Sequence, residues 1–335
     1  MNIAWLSSGN ISIVDGKPYS DLASARYRMT IPAMEMSTRG AQIELLNIDQ
    51  NTTEHSFEQI NHADVVIFGK TFNKVAKSLL NRVKKAGVSV VFDLCDNHFE
   101  RNKSEFYRYM AQHADLIVAS TPEMARIAAK YSEVPIQVIS DPYEGVRGEA
   151  LSRIDEPLNL LWFGSHTNID SLLSVIPELE TFARDSRVEL SVVTSPIKGL
   201  EKAIHDFHSH TTSGLRMTFV KWSLDTMPRQ MHACHAVIIP STADERRAVK
   251  SPNRLIESAW AGRFVVAHPV PAYQPFAQWM YVGESITRGL EDMRENVANL
   301  STRIRDAQSF IQEHHSPAVI AGHWMRVCEA LKKNA

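Results

Sequence analysis

The stretch Ile238–Ala267, IIPSTADERRAVKSPNRLIESAWAGRFVVA, carries an apolar strand, a polar loop, a helix and a second strand in one run. The first strand ends at Pro240-Ser241, and the loop after it brings Asp244, Glu245, Arg246 and Arg247. Lys250-Ser251-Pro252-Asn253 then opens the helix, which Gly262 closes before the next strand. Ser251 reads as the N-cap with Pro252 at the first helical position, so the amides of the first turn are expected to be free. Together with the helix dipole and the charge of Lys250, those amides form an anion site suited to a diphosphate. Glu257 lies one to two turns further on, where a carboxylate accepts hydrogen bonds from ribose hydroxyls. The plainer reading is a capped surface helix with a salt bridge, and these residues alone leave both open.

Outward from this stretch the same design recurs. Short Val- and Ile-rich runs at Ile3–Ser7, Gln42–Leu46, Val65–Phe68, Val88–Phe92, Leu116–Ala119 and Gln137–Ile139 alternate with helical segments such as Ala25–Thr38 and Phe72–Lys85. After Asp141-Pro142-Tyr143-Glu144-Gly145 and a charged stretch to Pro157, the pattern restarts. Its strands are Leu158–Phe163, Val188–Thr194, Met217–Val220, Ala236–Pro240 and Val265–His268, with one helix expected over Ile169–Asp185. Near-continuous apolar runs between helices predict parallel sheets buried on both faces. At 335 residues the chain has length for two such domains. The sequence predicts an α/β protein of two doubly wound, Rossmann-like domains, 1–145 and 157–300, and one or two helices towards the C-terminus. Ligands of such sheets bind beyond the carboxyl ends of the strands, so the loops after the strands are where chemistry is sought.

Composition narrows the function classes. With 44% apolar and 22% charged residues, the chain is expected to bury an ordinary core, which excludes disorder and a coiled coil. Met1–Leu6 reads as a first strand and not as a signal peptide, and three scattered cysteines argue for a reduced, cytoplasmic protein. A formal charge of −2 gives no reason to expect nucleic acid as a partner. The sequence has no Asp-x-Asp, no Gly-x-Gly-x-x-Gly after a strand, no Walker A lysine and no Gly-x-Ser-x-Gly elbow. His205, His208 and His210 lack partners at zinc spacing, so no metal is expected.

The string K-S-P-N-R-L-I-E-S-A-W-A-G-R-F-V-V-A resembles the donor-binding segment of GT-B glycosyltransferases, particularly the retaining, nucleotide-sugar-dependent, family 4-like bacterial group. Ala114–Thr121, Val138–Pro142, Leu160–Gly164 and Val220–Pro240 are similar to other parts of that family's pattern, so the resemblance spans most of the chain. It implies two domains facing a central cleft, with residues 301–335 crossing back to the N-terminal domain. The implied activity is metal-independent transfer of a sugar from a nucleotide sugar, UDP- or GDP-linked, to a hydroxyl of a glycan or lipid-linked acceptor. Polysaccharide or lipopolysaccharide synthesis in the cytoplasm, or at the inner face of the membrane with peripheral association, is the implied setting. A non-catalytic nucleotide- or glycan-binding subunit and a sugar-nucleotide epimerase on the same scaffold are the alternatives.

The resemblance distributes roles. Lys250, Ser251, Asn253 and Arg254 would hold the diphosphate and Glu257 the ribose, with Gly9, Gly164 and Ser165 in loops that approach the donor. The family often has a second glutamate eight positions before the ribose glutamate; here that position is Val249. An acceptor base, if the reaction inverts, is sought in Phe92–His98, with Asp93, Asp96 and His98 as candidates and helix capping by Asp96 or Asn97 as the alternative. Lys250 would act on the leaving group. Arg26 and Arg28 resemble acceptor- or phosphate-facing arginines, with a solvated structural role as the alternative. Lys221, Arg246 and His166 are further phosphate candidates, and Asp15 and Asp21 weaker candidates for the base.

Overall fold

The computed structural model describes every residue except 9–10, 49–57, 59, 102–103, 243 and 335, and no side chain beyond residue 332. The chain forms two compact units, one of residues 1–144, 248–251 and 313–335, the other of 145–247 and 252–312.

The first unit is built on six parallel strands in the order β4–β1–β5–β6–β7–β8. These are β1 (Asn2–Ser7), β4 (Gln42–Asn47), β5 (Val65–Gly69), β6 (Ser89–Leu94), β7 (Leu116–Ala119) and β8 (Ile136–Val138). All of β5 is buried, and its side chains alternate between the two faces. Val66 and Phe68 join one apolar cluster with Leu79, Leu80 and Tyr107, while Val65 and Ile67 join another with Trp5 and Trp324. The last helix, Pro317–Asn334, contributes Ile320, Ala321, Trp324, Val327 and Cys328 to the second cluster. That spacing is one apolar stripe of a helix.

Two features of this unit escape a strand-and-helix reading. Ile11–Leu22 contains a hairpin, β2 (Ser12–Val14) with β3 (Lys17–Tyr19), closed by an Asp15-Gly16 turn with both residues at positive φ. The helix expected from Ala25 begins at Ala23 and includes a π-turn over Arg26–Thr30, all of it buried. Such a bulge advances the helix by one residue and is frequent at functional sites.

The second unit repeats the plan in the order β11–β10–β9–β12–β13–β14. Its strands are β9 (Leu158–Phe163), β10 (Val188–Thr194), β11 (Leu215–Lys221), β12 (Ala236–Ile239), β13 (Phe264–Ala267) and the short β14 (Tyr281–Val282). The helix expected over Ile169–Asp185 divides into Ile169–Leu173 and Ile176–Phe182, with Pro177 in the first turn of the second. The C-terminal region holds three helices, Ile286–Glu295, Val297–His315 and Pro317–Asn334. Gly262 ends the helix Asn253–Trp260 at φ +80°, and a Cβ there would lie 2.0 Å from the carbonyl oxygen of Glu149, so only glycine fits.

In both sheets the strand order reverses once. The chain runs from β1 out to β4 and returns to β5; in the second unit it runs from β9 through β10 to β11 and returns to β12. The β1/β5 and β9/β12 gaps are therefore the topological switch points, where doubly wound sheets open a crevice for ligands.

Candidate functional site

A cavity of about 140 Å³ lies at the switch point of the first sheet. Its walls include Ser7 and Ser8 at the end of β1, Gly69 and Lys70 at the end of β5, and Asp93 and Cys95 around the end of β6. Arg28, on the π-turn, also lines it. The guanidinium donates to both Asp93 oxygens (2.6 and 3.2 Å), to Asp141 Oδ1 (2.7 Å) and to the carbonyl oxygen of Ile139 (2.6 Å). Burial alone would depress this arginine, but the two carboxylates outweigh it and hold the cation firmly charged. Arg26 is likewise buried, on Glu144 (2.9 Å) and the carbonyl oxygens of Ser20 and Asp21. Neither arginine is solvated, and both pin the first unit internally. Burial also pushes the Cys95 thiol up to about 12, which keeps it protonated.

Asp96 and Lys250, which sequence reasoning gave separate tasks, form one ion pair. The Lys250 ammonium donates to Asp96 Oδ1, and Lys70 takes Oδ2 at 2.5 Å. Burial would raise the Asp96 carboxyl, yet the charges and hydrogen bonds of Lys250 and Lys70 prevail and hold it well below the usual carboxylate range. A carboxylate so stabilised is a weak proton acceptor at neutral pH. Lys250 belongs to 248–251, the piece of the donor-like loop that folds with the first unit. Val249 beside it is fully buried in that unit's core, and its carbonyl accepts from Thr121 Oγ1 at 3.0 Å. His98 packs against Phe72 and Tyr107 at ring distances of 4.9 and 5.4 Å. Its Nε2 is enclosed with no hydrogen-bond partner among the described residues, and burial lowers its pKa below 6.5.

The carboxyl edge of the second sheet gathers the remaining candidates. Arg254 reaches the end of β9, where its Nη1 donates to the carbonyl oxygen of Phe163 at 3.3 Å. A Cβ on Gly164 would lie 3.4 Å from that nitrogen, so the glycine leaves the guanidinium room. Ser165 accepts from Thr167 N (3.3 Å) and caps a short 3-10 turn, while His166 Nδ1 meets Ser195 Oγ at 3.0 Å. Asn253 and Glu257 are four residues apart on the helix Asn253–Trp260 and share its face. Asn253 Oδ1 is buried without a partner among the described residues, as are Thr194 Oγ1 at the end of β10 and His268 Nε2 just after β13. Buried polar atoms are nearly always paired, so three at one sheet edge mark capacity directed at a ligand.

The structure thus divides the predicted residues. Asp96, His98, Lys250 and Ser251 lie in the first unit; Gly164, Ser165, Asn253, Arg254 and Glu257 lie in the second. Gly9 lies outside the described residues. Ser251 is not the helix cap: Pro252 occupies that position with no capping side chain. Of the weaker candidates for the base, Asp15 is in the hairpin turn and Asp21 accepts from Tyr19 Oη at 2.6 Å. Asp244 sits 3.6 Å from Arg247 and 3.9 Å from Arg246, which offsets those cations locally. Sequence reasoning missed Lys70 and Thr194, although each stands at a strand end, the place the parallel-sheet pattern marks for ligands. Among the described residues no group of three or more His, Cys, Asp or Glu comes together to hold a metal, and no helix is long and apolar enough to cross a membrane.

No protein-family model matches the sequence, and no curated protein matches it. Solved structures match the whole chain. The chain is similar to AviGT4, a glycosyltransferase involved in avilamycin A biosynthesis, at 14% identity and a TM-score of 0.61, covering 100% of this chain and 98% of that one. It is similar to the alpha-glucosyltransferase AGT in complex with UDP, at 12% identity and a TM-score of 0.67, over 98% of this chain and 100% of that one. The lipopolysaccharide outer core galactosyltransferase WaaB aligns at 12% identity with a TM-score of 0.59, over 98% and 99%. With two Rossmann-like units and this full-length likeness, the chain has the GT-B glycosyltransferase fold.

Proposed function

We propose that the protein is a glycosyltransferase that moves a sugar from a nucleotide-sugar donor to an acceptor hydroxyl, and that its second unit binds the nucleotide. The observation that carries this reading is the carboxyl edge of the second sheet, where Arg254 reaches the end of β9 close to Gly164. Near it, Asn253 Oδ1 and Thr194 Oγ1 are buried with no partner among the described residues. In this reading Arg254 and the amides at the start of its helix bind the diphosphate, Glu257 accepts from the ribose, and Gly164 and Ser165 border the donor. The arginine stabilises charge on the departing nucleotide without a bound metal ion. UDP is the first nucleotide to test, because AGT was crystallised with it. A glycan or lipid-linked acceptor and a cytoplasmic setting complete the proposal.

Asp96 has no place in it as a base, since two lysines hold it ionised. Lys250 serves as the partner of Asp96 rather than as a ligand of the donor diphosphate.

Calorimetric titration of UDP and GDP tests the assignment. UDP is expected to bind, and Arg254→Gln and Glu257→Gln are each expected to weaken it at least tenfold, about 1.4 kcal/mol. If no nucleoside diphosphate binds, the reading is wrong. Turnover of UDP-sugars in the presence of EDTA then tests metal independence.

One observation favours a second reading, a nucleotide-binding subunit without activity. Val249, at the position where the family often has a glutamate, is sealed in the first unit's core. Binding of UDP-sugars with no turnover across a panel of acceptors would select that reading.

A further inference from the structure

Lys70 follows β5 with φ at +50°, in the left-handed region that a lysine enters only against steric resistance. Among the described residues the one other non-glycine at positive φ is Asp15, where an Asp-Gly hairpin turn favours it. No turn chemistry accounts for Lys70. Its backbone is held from two sides: the N–H donates to the carbonyl oxygen of Asp93 (3.3 Å) and the carbonyl accepts from Ser8 Oγ (3.1 Å). Strain that the surroundings over-determine in this way collects at ligand sites. Lys70 lines the switch-point cavity, and its ammonium is held on Asp96 Oδ2 at 2.5 Å.

The charge around that ammonium is layered. One lysine would neutralise Asp96, but two converge on it, and they are the outer partners: the side chains of Lys70 and Lys250 are 39% and 51% exposed, against 18% for Asp96. Beneath them, Asp93 and Asp141 are 1% and 2% exposed and share the single cation Arg28. Of these charged residues Lys70, Arg28 and Asp93 line the cavity itself, two cations against one carboxylate, a balance that favours an anion.

We propose that Lys70, with Lys250, binds the phosphate of a phosphorylated ligand at the rim of this cavity. Lysine ammoniums act as compact point charges, which suit a tetrahedral phosphate better than a planar carboxylate. Each ammonium keeps N–H donors beyond the one spent on Asp96. Under the glycosyltransferase reading, on which this last identification rests, the ligand is the acceptor: a phosphorylated sugar or alcohol.

Calorimetry with glucose 6-phosphate, glucose and inorganic phosphate tests the site in wild type, Lys70→Asn, Lys250→Gln and Arg254→Gln. Asparagine accepts positive φ, so Lys70→Asn removes the ammonium without adding backbone strain. The wild type is expected to bind glucose 6-phosphate at least tenfold more tightly than glucose, with inorganic phosphate competing. Lys70→Asn is expected to erase that preference, and Lys250→Gln to reduce it, which carries the test if the first variant does not fold. Arg254→Gln is expected to keep the preference while losing UDP, which separates this site from the nucleotide site. No preference in the wild type, or a preference lost with Arg254→Gln and kept by both lysine variants, overturns the proposal.

Discussion

The carboxyl edges of the two sheets share a topology and differ in how they handle charge. In the first unit charges are matched inside the protein: Arg28 with Asp93 and Asp141, and Asp96 with Lys70 and Lys250. In the second, Thr194, Asn253 and His268 each bury a polar atom that meets no partner among the described residues, and the nearest cation, Arg254, makes a long bond to a backbone carbonyl. In the first unit the charged groups fix one another before a ligand arrives, although His98 Nε2 and Ser120 Oγ are also buried there without a partner among the described residues. An edge with unmatched donors and acceptors gives up stability for the ability to bind. The same fold thus separates a preorganised cavity from an edge held open for hydrogen bonding.

Substitutions at the two edges should therefore act in opposite directions. Arg28→Met strands two buried carboxylates, and removing one member of a buried ion network costs about 3–5 kcal/mol. Urea denaturation followed by hydrogen exchange of the first unit should show this loss; a change under about 1 kcal/mol would mean that the network contributes little. Arg254→Gln, with one long bond to lose, is expected to leave the urea midpoint nearly unchanged while UDP affinity falls about tenfold, or 1.4 kcal/mol. Thr194→Val goes the other way. It replaces a fully buried, unpartnered hydroxyl by a methyl of similar shape and is expected to raise stability by about 1 kcal/mol, since an unsatisfied buried group costs about 1–3 kcal/mol. The same variant is expected to bind UDP more weakly. A stability gain with unchanged UDP affinity would remove Thr194 from the nucleotide site.

The fold was legible in the sequence because both signals that set it are local. Runs such as Val65–Gly69 are apolar on both faces, and turns and helices separate them at regular intervals. Helix interruptions were less legible: Pro177 at the junction of two short helices was in plain view, but a π-turn at Arg26–Thr30 leaves no periodic trace. At the candidate site, Arg254, Glu257 and Gly164 could be picked out because one helix and one strand end carry them. Lys250 and Asp96 could be named but not paired, since 154 residues separate them and their meeting depends on how a four-residue segment folds back. Lys70 was invisible for a different reason. A positive φ at a lysine is imposed by tertiary hydrogen bonds from Ser8 and to Asp93, and no residue type announces it.

Acid gives the smallest and most discriminating contrast. Burial, the largest influence in each case, lowers the pKa of His98, His315 and His323 in the first unit and of His235 in the second. His315 is 8% exposed, with Nδ1 at 3.1 Å from the carbonyl oxygen of Asp141 and 3.2 Å from Ser140 Oγ. A histidine whose folded pKa lies below its unfolded value of 6.5 stabilises the fold fully above 6.5. As pH falls through 6.5 the unfolded chain takes up the proton first, and that stabilisation is lost on the way to the folded pKa. Asp96 also has a depressed folded pKa, but its contribution is complete above about pH 4 and is lost only below it, so it adds no slope between pH 7 and 5. In that window the histidines act in one direction, three in the first unit against one in the second, while burial pushes the Asp93 carboxyl of the first unit up and opposes them. Hydrogen exchange in urea at pH 7.5 and 5.5, read separately for each unit, should show the first losing more stability on acidification. His315→Gln should flatten that loss. A steeper acid loss in the second unit would show that its unpartnered edge, and not the buried histidines of the first, governs the response to protons.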